Sequence, residues 1–237
     1  MIAVLLLGFL IGVRHALDAD HVAAVASLVV GSKSVAQSVR QGVVWGIGHT
    51  LTLFSVGTVV VLAGTRVSPR LEVMLEAVVG LMLIGLGVDV ARRLIAERVH
   101  FHTHRHEDGV EHFHAHSHRA AAKEAHDARR HAHSHAPAAQ GFPARALVVG
   151  LMHGLAGSAA LVILSLESTG SLVNGLLYML LFGLGSILGM AALSAVIAVP
   201  LNRSEHRLTH LHRGAQAAVV LLNVGLGSTL LAGAWAG

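Results

Sequence analysis

The sequence predicts an all-α membrane protein with six transmembrane helices arranged as two inverted three-helix repeats. Of 237 residues, 54% are hydrophobic and 13% are charged, against about 25% charged in a soluble globular domain. Half of the charged residues lie within residues 92–145, and glycine motifs recur in order in the two halves. A soluble all-α protein would need charged outer helix faces. The stretches 147–166, 172–201 and 214–236 supply almost no charge.

Apolar stretches of membrane-span length define the helices in order. The predicted spans are about 2–30, 38–64, 71–93, 143–167, 172–200 and 213–236. The chain thus divides into a first membrane repeat (1–93), a His-rich loop (94–141) and a second membrane repeat (142–237). The N-terminus lacks the basic region of a secretory signal peptide, so the first helix is expected to be retained.

Basic residues in the loops predict the orientation. The short loops on one side carry Lys33, Arg40, Arg203, Arg207 and Arg213, and the long loop carries many more. The opposite side has Arg66 and Arg70. We therefore expect a multi-pass protein of the bacterial inner (cytoplasmic) membrane, with the His-rich loop cytoplasmic and both termini outside. We attribute the net charge of +4 to basic loop residues that set the membrane topology. The expected partner is the lipid bilayer, and no nucleic acid partner is expected.

The two halves contain three pairs of matching motifs at a nearly constant offset of about 138 residues. They are Gly12-x-x-His15 with Gly150-x-x-His153, Gly46-x-Gly48 with Gly183-x-Gly185, and Gly85-Leu86-Gly87 with Gly225-Leu226-Gly227. A repeat with three crossings must be inverted in its second copy. Inverted repeats are typical of transporters, with the site near the midplane. The alternative is chance, since the chain has 26 glycines.

The stretch RHALDADHVAAV, residues 14–25, places ionisable side chains in the middle of the first span. A charge at the bilayer centre costs about 2.5–3.5 kcal/mol on insertion scales, so such residues indicate a functional site. Imidazole with carboxylate suits divalent transition metals, although proton relays use the same groups. The predicted metal ligands here are His15, Asp18, Asp20 and His21, and Arg14 is expected to pair with an aspartate when no metal is bound.

A regular helix would not bring these ligands together. His15 and His21 would lie about 120° apart around the axis, and His15 and Asp20 about 140° apart. Either the helix unwinds around residues 16–20, or only part of the cluster binds one ion.

Other polar residues in the spans are weaker candidates. His49 in WGIGHTLTL is a predicted fifth ligand, with helix packing as the alternative. The predicted pathway comprises Arg14, Thr50, His153, Ser158, Asn174 and Asn223. In the second repeat, Ala156 and Ser158 stand where the first has Asp18 and Asp20. Asp89 is expected to pair with Arg92 or Arg93.

Residues 100–135 contain 12 of the 19 histidines. With reference pKa values near 6.5, these are largely neutral at pH 7 and free to bind metal. The predicted capture residues are His100, His102, His104, His106, His112, His114, His116, His118, His131, His133 and His135. The segment is expected to be disordered without metal. The alternative is a plain linker between the repeats.

The motifs resemble those of the nickel/cobalt transporter family and its wider superfamily. HALDADH fits H-x4-D-H with His15, Asp20 and His21 in the fixed places, GIGHT resembles the second histidine motif at His49, and GLMHGLAGSAAL resembles the corresponding segment of UreH-like members. Members of the transporter family usually have eight spans and acidic motifs in their later half, which this chain lacks, so the UreH-like branch is favoured. The resemblance implies nickel or cobalt as the substrate.

The predicted function is secondary transport of Ni²⁺ or Co²⁺, with uptake favoured and no organic cofactor. The sequence contains no nucleotide-binding P-loop. Two alternatives remain, an efflux permease and a metal-delivery subunit that serves a nickel-enzyme maturation system. A membrane enzyme is disfavoured because neither H-E-x-x-H nor G-x-S-x-G occurs.

Overall fold

The structure, a computed structural model, describes residues 2–63, 68–96, 99–105, 111–117, 141–156, 171–204 and 209–236. Within these residues the helices are α1 (Ile2–His15), α2 (Ala19–Val29), α3 (Val35–Ala63), α4 (Pro69–Ala96), α5 (Ala144–Ala156), α6 (Leu172–Ser204) and α7 (Thr209–Ala236). Two strands, β1 (Val99–Arg105) and β2 (Glu111–Ser117), pair as an antiparallel hairpin.

Four helices are long and apolar enough to cross a membrane, namely α3, α4, α6 and α7. The pair α1 and α2 meets the same criterion together but is bent by 57°, and α5 is a shorter apolar helix. The described residues therefore form four spans, or five if the bent pair crosses as one, and the chain is a multi-pass helical membrane protein. The predicted span 143–167 is described only as far as 156, so the arrangement of six spans stays a prediction.

The first span breaks inside the RHALDADHVAAV stretch. The N–H of Leu17 donates to the carbonyl of Arg14 (2.8 Å), and the N–H of Asp18 donates to the carbonyl of His15 (3.0 Å). Asp18 then adopts an extended backbone (φ −62°, ψ 147°), and α2 begins at Ala19. Aspartate is a preferred residue at this position before a helix. Of the two alternatives that the sequence leaves open, the structure thus shows the unwinding, which turns α2 away from α1.

The short helix α2 lies in the centre of the protein. Each residue from 23 to 30 is buried, and α2 contacts α3, α4, α6 and α7. A helix that is hydrophobic on all sides is suited to such a place. The side-chain amide of Asn223 on α7 donates to the carbonyl of Ala23 (3.0 Å). This position carries the first turn of α2, with Asp20 and His21, into the protein interior.

Glycines bring the helices into backbone contact. A Cβ at Gly12 of α1 would collide with the carbonyl oxygen of Phe182 on α6, and a Cβ at Gly150 of α5 would collide with that of Trp45 on α3. Small residues at membrane-helix interfaces allow such close approach. A second pair of contacts joins Gly185 to the carbonyl of Phe9 and Gly48 to that of Leu147.

Two sequence expectations differ from the structure. Helix α6 does not stop at Pro200 but continues to Ser204, because a proline removes one N–H donor and need not end a helix already packed against its neighbours. The His-rich loop, expected to be disordered, contains β1 and β2. Alternating sequences with phenylalanine and threonine suit the period of a strand. Of the predicted capture residues, His106, His118, His131, His133 and His135 lie outside the described residues.

Candidate metal site

Four histidines from four helices converge at the break in the first span. His15 ends α1, His21 is in the first turn of α2, His49 lies midway along α3, and His153 lies on α5. The ring centroid of His21 is 4.3 Å from that of His15, 4.3 Å from that of His153 and 5.1 Å from that of His49. His21 is therefore the centre of the cluster, and the helix break brings His15 beside it.

Two aspartates orient three of these rings. Because a carboxylate only accepts hydrogen bonds, Nδ1–H of His15 donates to Oδ2 of Asp18 (2.7 Å). Likewise Nδ1–H of His21 donates to Oδ1 of Asp20 (2.9 Å), and Nε2–H of His153 donates to Oδ2 of Asp20 (2.9 Å). A carboxylate on one imidazole nitrogen is the common way of orienting a histidine whose other nitrogen binds a metal.

The histidine nitrogens on the far sides of the rings are buried and without hydrogen-bond partners among the described residues. They are Nε2 of His15, Nε2 of His21, both ring nitrogens of His49 and Nδ1 of His153. His21, His49 and His153 are 1%, 0% and 2% exposed. An unsatisfied buried polar atom costs about 1–3 kcal/mol, and native proteins contain few of them. A cation bound among the rings would take up such lone pairs, of which a neutral His49 supplies one because its other ring nitrogen carries a proton.

The ligands fall into two groups of three. In one group, ligand atoms of His15, His21 and His49 all lie within 4.8 Å of one another, and in the other those of Asp20, His21 and His153 do. The predicted set of His15, Asp20 and His21 around one ion does not form one group in the described part of the chain. Asp18 belongs to neither group, because its half-exposed carboxylate is bonded to His15 on the outer side of the break.

Aromatic side chains form part of the wall. The ring of Trp45 lies 5.3 Å from that of His21 and 5.6 Å from that of His153, and the ring of Phe182 lies 5.1 Å from that of His15. Trp45 and Phe182 are themselves buried. These large apolar surfaces limit water around the histidines, which strengthens the electrostatic attraction between the cluster and a cation.

The predicted pathway residues have different surroundings. Thr50 donates to the carbonyl of Gly183 (3.2 Å), and Asn223 holds α2, so both join helices. Asn174 is half-buried, and Arg14 is exposed. The expected pairing of Arg14 with an aspartate is wrong, because Asp18 and Asp20 bond to histidines.

Two further residues complete this comparison. Ser158 lies outside the described residues. Asp89 pairs with Arg93 as expected (2.9 Å) and also with Arg145 (2.6 Å), which fixes the start of α5 beside the end of α4.

The sequence places His153 on the predicted pathway but does not predict its bond to Asp20. The offset between the repeats carried a signal for this contact, because it aligned His153 with His15. Trp45 was also missed, since a tryptophan four residues before His49 is equally consistent with ordinary packing.

Comparison with known proteins identifies the class. Residues 3–225 match the family described as "Cytochrome C biogenesis protein transmembrane region", and the chain therefore belongs to this family of membrane proteins. The urease accessory protein UreH of Bacillus sp. (strain TB-90) is 34% identical over 211 residues, which cover 88% of this chain and 82% of that protein. The chain is thus a UreH-like membrane protein, and both similarities point to a non-enzymatic protein. No solved structure matches it.

Proposed function

We propose that this protein is a secondary transporter that carries Ni²⁺ or Co²⁺ across the bacterial inner membrane, with uptake as the favoured direction. One observation carries the proposal. Within a helical membrane protein, four histidines meet at a helix break, and five of their buried nitrogens have no hydrogen-bond partner among the described residues. The likeness to a urease accessory protein is consistent with handling of nickel.

The donor types favour a divalent transition metal. Imidazole nitrogen and carboxylate oxygen together suit nickel, cobalt, copper and zinc, whereas alkali and alkaline-earth ions favour oxygen alone. Asp18 and Asp20 supply the negative charge that accompanies the neutral imidazoles. Among these metals we propose nickel or cobalt, because the H-x4-D-H and GIGHT motifs resemble those of the nickel/cobalt transporter family.

The arrangement of the helices favours transport over storage. Transporters commonly bind their substrate at discontinuous helices near the bilayer midplane, between inverted repeats. Here the backbone contact of Gly12 with Phe182 is matched by that of Gly150 with Trp45. Both residues of the second contact stand at the predicted repeat offset of about 138 from those of the first. This correspondence supports two inverted three-helix repeats, 1–93 and 142–237, with the cluster at their interface.

The His-rich loop is proposed to collect metal on the cytoplasmic side, with both termini outside. The backbone register sets His100 opposite His116, His102 opposite His114 and His104 opposite His112. The register therefore sets six histidines of the two strands in three opposed pairs along the backbone. Such a density of histidines suits transition-metal binding.

Flux of radioactive nickel in proteoliposomes tests the proposal. Purified full-length protein should move nickel in a protein-dependent manner, and His49→Ala should reduce the flux about 10- to 100-fold, while Thr58→Ala should leave it unchanged. Thr58 is a matched control because it lies on the same helix with its buried hydroxyl unpartnered in the described region. Vesicles of each orientation separate uptake from efflux. Nickel binding without flux in any vesicle would favour the metal-delivery subunit instead.

A further inference from the structure

The two ligand groups share a single residue, His21. We propose that one transported ion occupies two alternative positions in turn, and that His21 passes it between them. The histidine position consists of His15, His21 and His49, and the carboxylate position consists of Asp20, His21 and His153. This inference rests on the proposed function and gives the metal site a second position that contains His153.

The histidine position is prepared in the metal-free protein. Nε2 of His15 and Nε2 of His21 are free of hydrogen bonds, and the opposite nitrogen of each ring is held by an aspartate. His49 is fully buried, with both ring nitrogens free among the described residues. An ion there would have three neutral nitrogen ligands without any proton having to move.

The carboxylate position is closed by hydrogen bonds. Asp20 accepts from His21 and from His153, each at 2.9 Å. Ligands at right angles on a metal with bonds of about 2.1 Å lie about 3 Å apart. The donor pairs therefore already have the spacing of neighbouring ligands, and the ion would replace the two protons that now join them.

His21 can serve only one position at a time. A neutral imidazole has one N–H and one lone pair. In the histidine position Nε2 of His21 binds the ion and Nδ1–H donates to Asp20. In the carboxylate position Nδ1 binds and the proton moves to Nε2, and the proton of His153 shifts likewise from Nε2 to Nδ1. No proton is gained or lost, and repulsion between two closely spaced dications also excludes double occupancy.

The two positions belong to different parts of the protein. His15 and His49 lie on α1 and α3, whereas His153 lies on α5. Each group has one partly exposed ligand, namely His15 with 17% and Asp20 with 32% of its side chain exposed, and two buried ones. The ion can therefore enter beside one of these residues and leave beside the other, and its transfer at His21 carries it from a position formed by the first repeat alone to one that His153 of the second repeat completes.

Nickel X-ray absorption together with vesicle flux tests this inference. We use full-length protein in which the twelve histidines of residues 100–135 are replaced by glutamine, so that bound nickel reports the membrane site. His153→Ala should retain nickel with imidazole scattering and no carboxylate oxygen. His49→Ala should retain nickel with carboxylate oxygen in the ligand shell. Each should reduce flux about 10- to 100-fold, as loss of a metal-site residue commonly does.

The controls separate this inference from the proposed function. Thr58→Ala and Ser194→Ala remove buried hydroxyls outside both groups and should bind and transport as the parent protein does. His153→Asn and His49→Asn, checked for a single sharp size-exclusion peak, replace any alanine variant that fails to fold. If either variant loses all bound nickel, the ligands form one site and the two positions are overturned. A parent protein that neither binds nor transports nickel would overturn the proposed function and this inference with it.

Discussion

Nε2 of His153 lies 2.9 Å from Oδ2 of Asp20, and this bond joins residues 133 positions apart in the chain. It connects the first turn of α2 to α5, and so connects the two predicted repeats through the cluster. Asp20 also orients His21. One carboxylate therefore determines the positions of two buried imidazoles, whereas the half-exposed Asp18 orients His15 alone.

Asp20→Asn should impair nickel accumulation more than Asp18→Asn does. The asparagine side chain has one acceptor oxygen and no negative charge, so it cannot accept from both rings as the carboxylate does. Loss of a partner that orients metal ligands typically costs about 10- to 100-fold in affinity or activity. For Asp18→Asn, which disturbs one partly exposed ring, we expect the low end of this range. Nickel accumulation in cells, normalised to protein in the membrane fraction, measures both. Equal losses in the two variants would contradict the dominant role of Asp20.

Gly12→Ala and Gly150→Ala should each destabilise the protein. The added methyl group meets a backbone carbonyl in both cases, and forced overpacking costs about 1–3 kcal/mol. In thermal unfolding in detergent, the midpoint temperature should fall by a similar amount in the two variants, because their contacts stand at the repeat offset.

Gly85→Ala is the matched control for both. A Cβ at Gly85 has nothing within 4 Å, so this variant should be neutral or gain about 0.5–1 kcal/mol from the better helix propensity of alanine. If Gly85→Ala were as unstable as Gly12→Ala, steric contact would not be the cause.

The sequence predicts much of the cluster, because ionisable residues in an apolar span must face the protein interior. It also limits the first span to two alternatives, a break or partial binding, because helical angles separate His15 from His21. The sequence does not predict that the ligands form two groups of three that share His21. That division depends on α5, whose position follows from Gly150 against Trp45 and from Arg145 against Asp89. Such contacts between distant segments have no local signal beyond the presence of a glycine or a charge.

The pairing assigned to Arg14 was wrong for a related reason. Proximity in sequence favoured an arginine–aspartate pair, but the turn at residues 16–18 directs Asp18 back to His15 and leaves Arg14 exposed. The composition of the His-rich loop predicts disorder, whereas its alternating pattern suits the paired strands that the structure contains.

Asn223→Leu should lower stability modestly and leave nickel affinity unchanged. Asn223 donates to Ala23 on α2 and to Val219 on its own helix, and hydrogen bonds between membrane helices are worth about 0.6 kcal/mol on average and up to about 1.7. Thermal unfolding and nickel titration of the purified protein measure the two effects. Thr229→Ala is the control on the same helix, since its exposed hydroxyl bonds only to its own helix at Leu226. A large loss of nickel affinity in Asn223→Leu would place Asn223 on the ion pathway rather than in the support of α2.

Replacing the twelve histidines of residues 100–135 by glutamine should reduce the number of nickel ions bound per chain while leaving flux at saturating nickel intact. The loop supplies most of the histidines, but the helix break supplies the buried ligands, and the proposed transport depends on the latter. Equilibrium dialysis with metal analysis gives the stoichiometry, and vesicle flux over a range of nickel concentrations gives the transport. Glutamine at His206, His210 and His212, which lie outside the loop, is the control and should leave the stoichiometry unchanged. If the loop variant bound as many ions as the parent protein, the histidines of the hairpin would not collect metal. If flux at saturating nickel were lost instead, the loop would belong to the transport path itself.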